Sequence, residues 1–262
     1  MQQAHDLREE GDELYELVGT LKAGDWDRPT PFKSWTVNDV VAHLHTTDLV
    51  ATVALEEPDR FRAMVRAGER AIWIGGASAN PSDLPKGAEL GERWYAYLGE
   101  LCDRLAGVDP STRVPWFGPD MGARMFATAR QMETWSHGQD IYDLLKKPRN
   151  NTDRIKNIAV IGVRTFGWTF ANRREEIPAD VPYVRLAAPS GDTWEWNEPS
   201  DTNFVKGDAV EFCHVVTQGR NIADTALEVA GDTATRWMAV AQCFAGGPET
   251  PPAPGERHWT DQ

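Results

Sequence analysis

The stretch Ser34-Trp-Thr-Val-Asn-Asp39-Val-Val-Ala-His43 contains the start of a helix that decides the architecture of the first half of the chain. Thr36 is followed three residues later by Asp39, which is the spacing of a capping box. The acid also lies near the positive end of the helix dipole, where a negative charge is stabilising. We therefore predict a helix from about Val37 into the fifties.

His43 is the first polar residue on the apolar side of this helix. It follows Val40 by three residues and precedes Leu44, so it borders the apolar stripe and is expected to point into the protein. His45 is rotated from it by about 200°. A single histidine at such a position is usually a hydrogen-bonded core residue, so His43 alone indicates no chemistry.

Apolar residues at helical spacing predict three further helices in the first half of the chain. They span His5–Leu21, Leu90–Leu105 and about Gly122–Leu145. Four helices within 1–150 favour a four-helix bundle. Ile155–Asn172 predicts a fifth helix, which either braces the bundle, within 155–175, or opens the second domain.

The character of the sequence changes after Pro178. Val181–Ala188 and Thr193–Trp196 are typical of strands, and the glycine between them suits the tight turn of a hairpin. Helical patterns follow, so residues 151–247 predict a smaller α+β domain and the chain as a whole an α+β fold. Prolines and polar residues dominate 248–262, which we expect to be a flexible tail.

Composition restricts the class of function. The 262 residues are 41% hydrophobic and carry a formal net charge of −13, which disfavours nucleic acids and anionic membranes as partners. No signal peptide or membrane span is recognisable, and three widely spaced cysteines fit a reducing compartment. We expect a cytoplasmic protein, monomeric or homodimeric, that acts on a small molecule and whose cysteines are core residues.

Glu133 and His137 are four residues apart, so a helix places them on one face about a turn apart. This pair alone is more typical of a helix surface than of a site. His43 changes the balance, because two helices of one bundle then direct ligand-type side chains towards a shared interior. The three residues together predict a site for a divalent metal, best guessed as zinc.

Two stretches also resemble the signatures of the mycothiol-dependent maleylpyruvate isomerase family, which is built on a DinB-like four-helix bundle. They are Ser34–His43 with Asp48 after it, and Arg130-Gln-Met-Glu133-Thr-Trp-Ser-His137-Gly-Gln-Asp140. The segment from Val184 to Gly247 is similar to the C-terminal domain of that family. The resemblance implies that His43, Glu133 and His137 bind zinc, that mycothiol is the thiol cosubstrate, and that Arg220 is functional.

The resemblance has one departure. The long segment from Glu56 to Lys86 and the pair Trp194 and Trp196 are closer to a subgroup described only as metal-binding. Metal binding is therefore expected to transfer to this chain more directly than the substrate does.

Two imidazoles and one carboxylate leave a position open on the metal, which a thiol can fill and then lose its proton. We hypothesise that the thiolate adds to an unsaturated carboxylate, with Arg220 or Arg130 pairing with that carboxylate. The outcome is either cis-trans isomerisation or S-transfer. Arg130 alternatively forms an ion pair with Glu133, and Asp140 and Asp48 either orient ligand histidines or face solvent.

Two other functions fit the same residues. A set of two histidines and one carboxylate also binds iron(II) in oxygen-dependent enzymes. A module that binds a metal or ligand without turnover is the non-enzymatic alternative. We also expect Trp35, Trp94, Trp135 and Trp168 to be core residues, since each lies in a helical pattern.

Overall fold

The computed structural model of the protein describes residues 1–67, the backbone of 73–74 and 77–78, and residues 83–257. Within these, the chain divides into two compact units, Met1–Leu144 and Leu145–Gln262. The fold is α+β, as the sequence predicted. None of the described helices combines the length and the apolar character that crossing a bilayer requires.

Among its described residues, the first unit contains five α-helices, of which four are long. They are α1 (Gln2–Val18), α2 (Val37–Glu56), α3 (Pro58–Ala67), α4 (Ala88–Ala106) and α5 (Ala123–Leu145). Two short antiparallel strand pairs join them, β1 (Trp73–Ile74) with β2 (Ala77–Ser78) and β3 (Arg113–Val114) with β4 (Met121–Gly122). The four long helices are the four that the sequence predicted, whereas α3 was missed.

The start of α2 has the predicted capping box. The backbone N–H of Asp39 donates to Thr36 Oγ1 at 3.2 Å, and the Thr36 N–H donates to Asp39 Oδ2 at 2.8 Å. Two amide groups at the helix end are thereby satisfied by side chains. This cap sets the residue at which α2 begins, and so the face on which His43 lies.

The second unit is a four-stranded sheet with helices. Its strands are β5 (Tyr183–Ala187), β6 (Thr193–Trp196), β7 (Phe204–Asp208) and β8 (Glu228–Ala230), in the order β6-β5-β7-β8. Its helices are α6 (Lys156–Arg164), α7 (Phe166–Asn172), α8 (Ala209–Val216) and α9 (Asp232–Val240). The β5–β6 hairpin is antiparallel as predicted, whereas the parallel pairing of β7 with β5 was not foreseen.

The helix expected at 155–172 is two helices. The hydroxyl of Thr165 donates to the carbonyls of Ile161 and Gly162, at 2.8 and 3.0 Å, and α6 ends one residue before it. Such back-bonding by threonine competes with the regular helix pattern. Within the second unit, Gly162 of α6 lies close to Phe212 and Val216. That this segment opens the second domain stays a prediction.

The end of the chain differs from the flexible tail expected at 248–262. Asn221 Nδ2 donates to the Pro252 carbonyl at 2.7 Å, and Arg257 Nη1 donates to the Gln218 carbonyl at 2.7 Å. A proline-rich segment loses little conformational entropy on ordering, and its carbonyls remain available as acceptors. Residues 258–262 lie outside the described part of the chain.

Gly231 and Gly191 provide a matched test of the second unit. Both have positive φ, 89° and 91°. A Cβ on Gly231 would lie 2.5 Å from the Thr202 carbonyl oxygen, whereas a Cβ on Gly191 meets no described atom within 4 Å. Gly191→Ala should therefore lower the free energy of unfolding by about 1–2 kcal/mol, from the left-handed backbone alone.

Gly231→Ala should lower the free energy of unfolding by about 3 kcal/mol or more, because the clash of the new Cβ with the Thr202 carbonyl oxygen adds to the strain of the left-handed backbone. Urea denaturation followed by circular dichroism measures both variants. Equal losses would show that the approach of the Thr202 carbonyl is not a constraint on the fold.

Candidate metal centre

Helices α2 and α5 bring the three predicted ligands together. His43 lies in the first half of α2, and Glu133 and His137 lie one turn apart on α5. His43 Nε2 is 3.3 Å from Glu133 Oε2, and His137 Nε2 is 3.5 Å from the same oxygen. All three ligand atoms lie within 4.8 Å of one another.

These separations fit a single ion. Zinc binds histidine nitrogen and carboxylate oxygen at about 2.0–2.2 Å, so two ligands at tetrahedral angles are about 3.4 Å apart. The two measured ligand separations are 3.3 and 3.5 Å. The donor set therefore suits a divalent cation.

The centre is partly open to solvent. The side chains of His43, Glu133 and His137 are 27%, 22% and 12% exposed. A structural zinc site is closed by four protein ligands, whereas a catalytic site keeps a position for water or substrate. Three converging ligands that small molecules can reach are the arrangement of the second kind.

Burial and hydrogen bonds set the protonation of the three side chains. Burial by itself raises the pKa of Glu133, but hydrogen bonds with His137 and His43 outweigh it and hold the pKa well below its ordinary value. Burial likewise works to lower the pKa of His137, yet Asp140 and Glu133 raise it to about 9. Burial lowers the pKa of His43 more than its hydrogen bond to Glu133 raises it.

Asp140 is the residue that orients His137. Its side chain is 1% exposed, and its Oδ2 lies 3.3 Å from His137 Nδ1. A carboxylate on the far nitrogen of a ligand histidine sets the tautomer and leaves Nε2 available to a metal. The sequence left two positions open for Asp140, a buried hydrogen-bond acceptor or a solvent-facing residue, and the structure shows the buried acceptor.

Two aromatic side chains that sequence reasoning did not assign to the site pack against its histidines. The Phe32 ring lies edge-on to the His137 ring, with 5.0 Å between centroids. The Trp35 ring is stacked on His137 at 5.6 Å and lies 5.2 Å from His43. Trp35 is half-buried here, whereas Trp94 and Trp135 are fully buried as expected. The signal in the sequence that could have assigned Trp35 to the site was its position directly before the capping box of α2.

One interpretation of the sequence predicted an ion pair between Arg130 and Glu133. In the structure, Arg130 pairs with Asp48 instead. Its Nε donates to Asp48 Oδ1 at 3.0 Å, and its Nη2 donates to Thr47 Oγ1 at 2.8 Å. Its side chain is only 2% exposed. A guanidinium that is buried and bonded in this way is poorly placed to receive a substrate carboxylate, so we assign Arg130 to holding α5 against α2.

Asp48, in turn, faces neither solvent nor a ligand histidine. It is fully buried, and burial raises its pKa while the charge of Arg130 counteracts this. The Asp48–Arg130 pair is therefore a buried ion pair between the two helices that carry the ligands.

Arg220 lies in the second unit and is 9% exposed. Its Nη1 donates to the Gly219 carbonyl at 2.8 Å, and its backbone N–H donates to the His214 carbonyl at 3.2 Å. These contacts position Arg220 within its own unit. A role for it in substrate binding stays a prediction.

Another group of described residues, His5, Asp6 and Glu9 on α1, also has three potential ligand atoms within 4.8 Å of one another. The side chains of His5 and Glu9 are 65% and 46% exposed. Exposed acidic clusters of this kind are common on helices, and this group provides a control for the centre formed by α2 and α5.

Removing Asp48 should destabilise the bundle strongly. Asp48→Ala leaves the Arg130 charge buried without its partner, which costs about 3–5 kcal/mol. Glu175→Ala is the control, because it breaks an exposed ion pair with Arg236. The side chains of Glu175 and Arg236 are 44% and 56% exposed. The cost of Glu175→Ala should stay below about 1 kcal/mol. Thermal and urea unfolding compare the two, and similar losses would contradict the buried pairing.

Removing Asp140 should weaken metal binding rather than abolish it. Asp140→Ala is expected to lower the affinity for zinc by about 10–100-fold, since His137 loses its orienting acceptor. Asp143→Ala is the control, because Asp143 lies on the same helix and accepts from Gln139 Nε2 at 2.9 Å. Competition with a chromophoric chelator measures both. Unchanged affinity in Asp140→Ala would show that the carboxylate does not support the ligand.

Comparison with known proteins gives relatives along almost the entire chain. Two proteins from two strains of Mycobacterium tuberculosis are each 38% identical to it over 253 residues. The alignments cover 93% of this chain and 95% of each relative. Both relatives are named as uncharacterized proteins, so their names indicate no reaction.

Solved structures show a similar fold. The crystal structure of the mycothiol-dependent maleylpyruvate isomerase matches with a TM-score of 0.52, over 82% of this chain and 87% of that one, at 13% identity. A mutant of that enzyme matches equally, at 12% identity. Identities this low establish the fold alone.

The family is established by a sequence model. The model described as the mycothiol maleylpyruvate isomerase N-terminal domain matches residues 7–142, more than half of the chain, and this span includes all three ligands on α2 and α5. The protein is therefore a member of the mycothiol maleylpyruvate isomerase N-terminal domain family.

Proposed function

We propose that this protein is a metal-dependent enzyme that uses a low-molecular-weight thiol, such as mycothiol, on an unsaturated carboxylate. The reaction is cis-trans isomerisation of the kind carried out on maleylpyruvate. The observation that carries the proposal is the convergence of His43, Glu133 and His137 within a chain of this family. We take the metal to be zinc, because two imidazoles and a carboxylate with an open position are typical of catalytic zinc.

The three cysteines are poorly placed to act as the nucleophile of such chemistry. Cys102, Cys213 and Cys243 are all buried. Burial raises the pKa of Cys102 to about 12, so its thiol stays protonated at neutral pH. An external thiol fits this arrangement, and we place the enzyme in the cytoplasm, where thiols are kept reduced.

Each residue of the centre then has a defined task. The ion would be held by His43, Glu133 and His137. When bound, it would act as a Lewis acid that lowers the pKa of a coordinated thiol, so that the thiol is a thiolate at neutral pH. Asp140 keeps His137 in the orientation that binding requires, at 3.3 Å from its Nδ1. Phe32 and Trp35 cover one side of the two imidazoles, which limits the access of water to the reacting groups.

The substrate carboxylate requires a positively charged partner on the protein. Because Arg130 is bonded to Asp48, we retain only Arg220 of the two arginines first considered for this task. Arginine binds carboxylates through two parallel hydrogen bonds, which would orient the substrate and stabilise the enolate that forms if a thiolate adds to the double bond. Rotation about the resulting single bond and expulsion of the same thiolate would then restore the double bond in the trans configuration, so that no thiol is consumed.

The proposal is tested by metal content and turnover in the same preparations. Protein purified without added metal should contain about one zinc ion per chain and should isomerise maleylpyruvate in the presence of mycothiol. His43→Ala should lose both the stoichiometric zinc and the turnover while circular dichroism remains helical, because it removes one of three ligands. His5→Ala is the matched control and should retain both, since it changes the exposed group on α1.

Several outcomes would contradict the proposal. Full zinc occupancy in His43→Ala would show that the third ligand is another residue, and full activity of metal-free protein would remove the metal from the reaction. Iron with oxygen-dependent turnover would replace the thiol mechanism. Accumulation of a thiol adduct without isomerisation would assign an S-transferase, and zinc binding without any turnover would assign a binding module.

A further inference from the structure

Helix α8 of the second unit ends in a strained turn. The backbone N–H groups of Gln218 and Gly219 donate to the carbonyls of Val215 and His214, at 3.0 and 2.8 Å. These two bonds form a Schellman motif, in which the residue after the helix cap adopts the left-handed conformation and is usually glycine. Here that residue is Gln218, with φ of 57°, and the glycine follows one position later.

The conformation of Gln218 is enforced by its surroundings. A residue with a Cβ occupies the left-handed region at a cost, and such strain persists only where neighbouring groups hold it. The side-chain Nε2 of Gln218 donates to the carbonyls of Ala241 and Glu249, at 2.9 and 3.2 Å. Its backbone carbonyl accepts from Arg257 Nη1 at 2.7 Å. Both Glu249 and Arg257 belong to the C-terminal segment, residues 249–257.

The C-terminal segment is itself fixed along the second unit. Asn221 Nδ2 donates to the Pro252 carbonyl at 2.7 Å, and the Gly255 N–H lies 3.0 and 2.9 Å from the two carboxylate oxygens of Asp224. These bonds bring the side chain of Arg257 to the turn, where Arg257 is only 9% exposed. Arginine is seldom buried to this degree, so its burial at the end of a proline-rich segment indicates a specific task.

The turn at the end of α8 carries Arg220. The backbone N–H of Arg220 donates to the His214 carbonyl at 3.2 Å, and its Nη1 donates to the Gly219 carbonyl at 2.8 Å. Both bonds depend on the course of the chain after the helix, which the left-handed residue sets. A change in the conformation of Gln218 would therefore redirect the guanidinium of Arg220.

Arg257 also acts close to Arg220. Burial lowers the pKa of His214 well below its ordinary value, and the charges of Arg220, Arg149 and Arg257 lower it further. The charges of Arg257 and Arg220 are therefore both felt at one buried imidazole. This places the end of the C-terminal segment in the surroundings of Arg220 rather than at a remote point of the unit.

We propose that Arg257 is a positioning residue for Arg220, which it orients through the left-handed turn at the end of α8. This inference rests on the proposed function, which assigns the substrate carboxylate to Arg220. The bond from Arg257 to the Gln218 carbonyl keeps the turn in place, so the guanidinium of Arg220 has its direction before the substrate binds. Such preorganisation avoids the cost of ordering a side chain during the reaction.

Turnover by the zinc-loaded full chain tests this role. With maleylpyruvate and mycothiol, Arg257→Met should lower kcat/KM about tenfold, because a hydrogen bond from a charged donor is lost. Arg257→Lys keeps a charged donor and should restore most of the loss. Arg236→Met is the control and should behave as the wild type, since its ion pair with Glu175 in the same unit is exposed. The zinc content should be the same in all variants.

A double-mutant cycle distinguishes positioning from general support of the fold. If Arg257 acts through Arg220, Arg257→Met should lower kcat/KM no further once Arg220→Met is present. Additive losses would reject the assignment, as would an Arg220→Met variant with the turnover of the wild type.

Hydrogen exchange tests the same inference without turnover. In Arg257→Met, the amides of Gly219 and Arg220 should lose about tenfold in protection, while those of α2 and α5 keep theirs. In a Gln218→Gly background the same substitution should cost much less, because glycine adopts the left-handed conformation without being held. This local pattern in a protein without thiol-dependent turnover would support the positioning of Arg220 and overturn the proposed function.

The opposite results overturn the inference. Unchanged turnover in Arg257→Met would leave the proposed function standing and remove Arg257 from it. Unchanged protection of the Gly219 and Arg220 amides, or an equal loss with and without Gln218→Gly, would reject a role through the turn. A loss of protection throughout the second unit, with a lower melting temperature, would make Arg257 a residue of the core instead.

Discussion

The structure of the candidate centre depends on one geometric constraint, namely that α2 and α5 direct two imidazoles and a carboxylate to the same point. The separations of 3.3 and 3.5 Å around Glu133 Oε2 match the spacing that a single tetrahedral ion would require of its ligands. A carboxylate between two imidazoles attracts positive charge, and its lowered pKa expresses that attraction. A shift of either helix by one residue would rotate its ligands by about 100° and separate the donors.

Three sets of contacts maintain this convergence. The buried pair of Arg130 with Asp48 joins α5 to α2 close to the ligands, Asp140 orients His137, and the rings of Phe32 and Trp35 pack on the imidazoles. Buried ion pairs contribute little net stability but are costly to break singly, so they favour one arrangement of the helices over others. The centre is thus supported on several sides by side chains that are not ligands.

The elements of the fold differed in how well local sequence predicted them. Helices α2 and α5 were predicted closely, because the capping box of α2 and the apolar periodicity of both helices are contained within each segment. The division of 155–172 into α6 and α7 depends on back-bonding by Thr165, and the parallel pairing of β7 with β5 joins residues about 20 positions apart. The pairing of β7 with β5 is a property of the folded chain, and no local pattern encodes it.

The sequence by itself determined the α+β class, the cap at Thr36, the four long helices and the choice of His43, Glu133 and His137 as candidate ligands. These follow from residue type and periodicity, which act over one or two turns. Only the tertiary structure decided that Arg130 pairs with Asp48 rather than with Glu133, and that Trp35 and Phe32 pack on the imidazoles. The physical reason is that partner choice between buried charges and rings depends on distances across helices, which are set by packing.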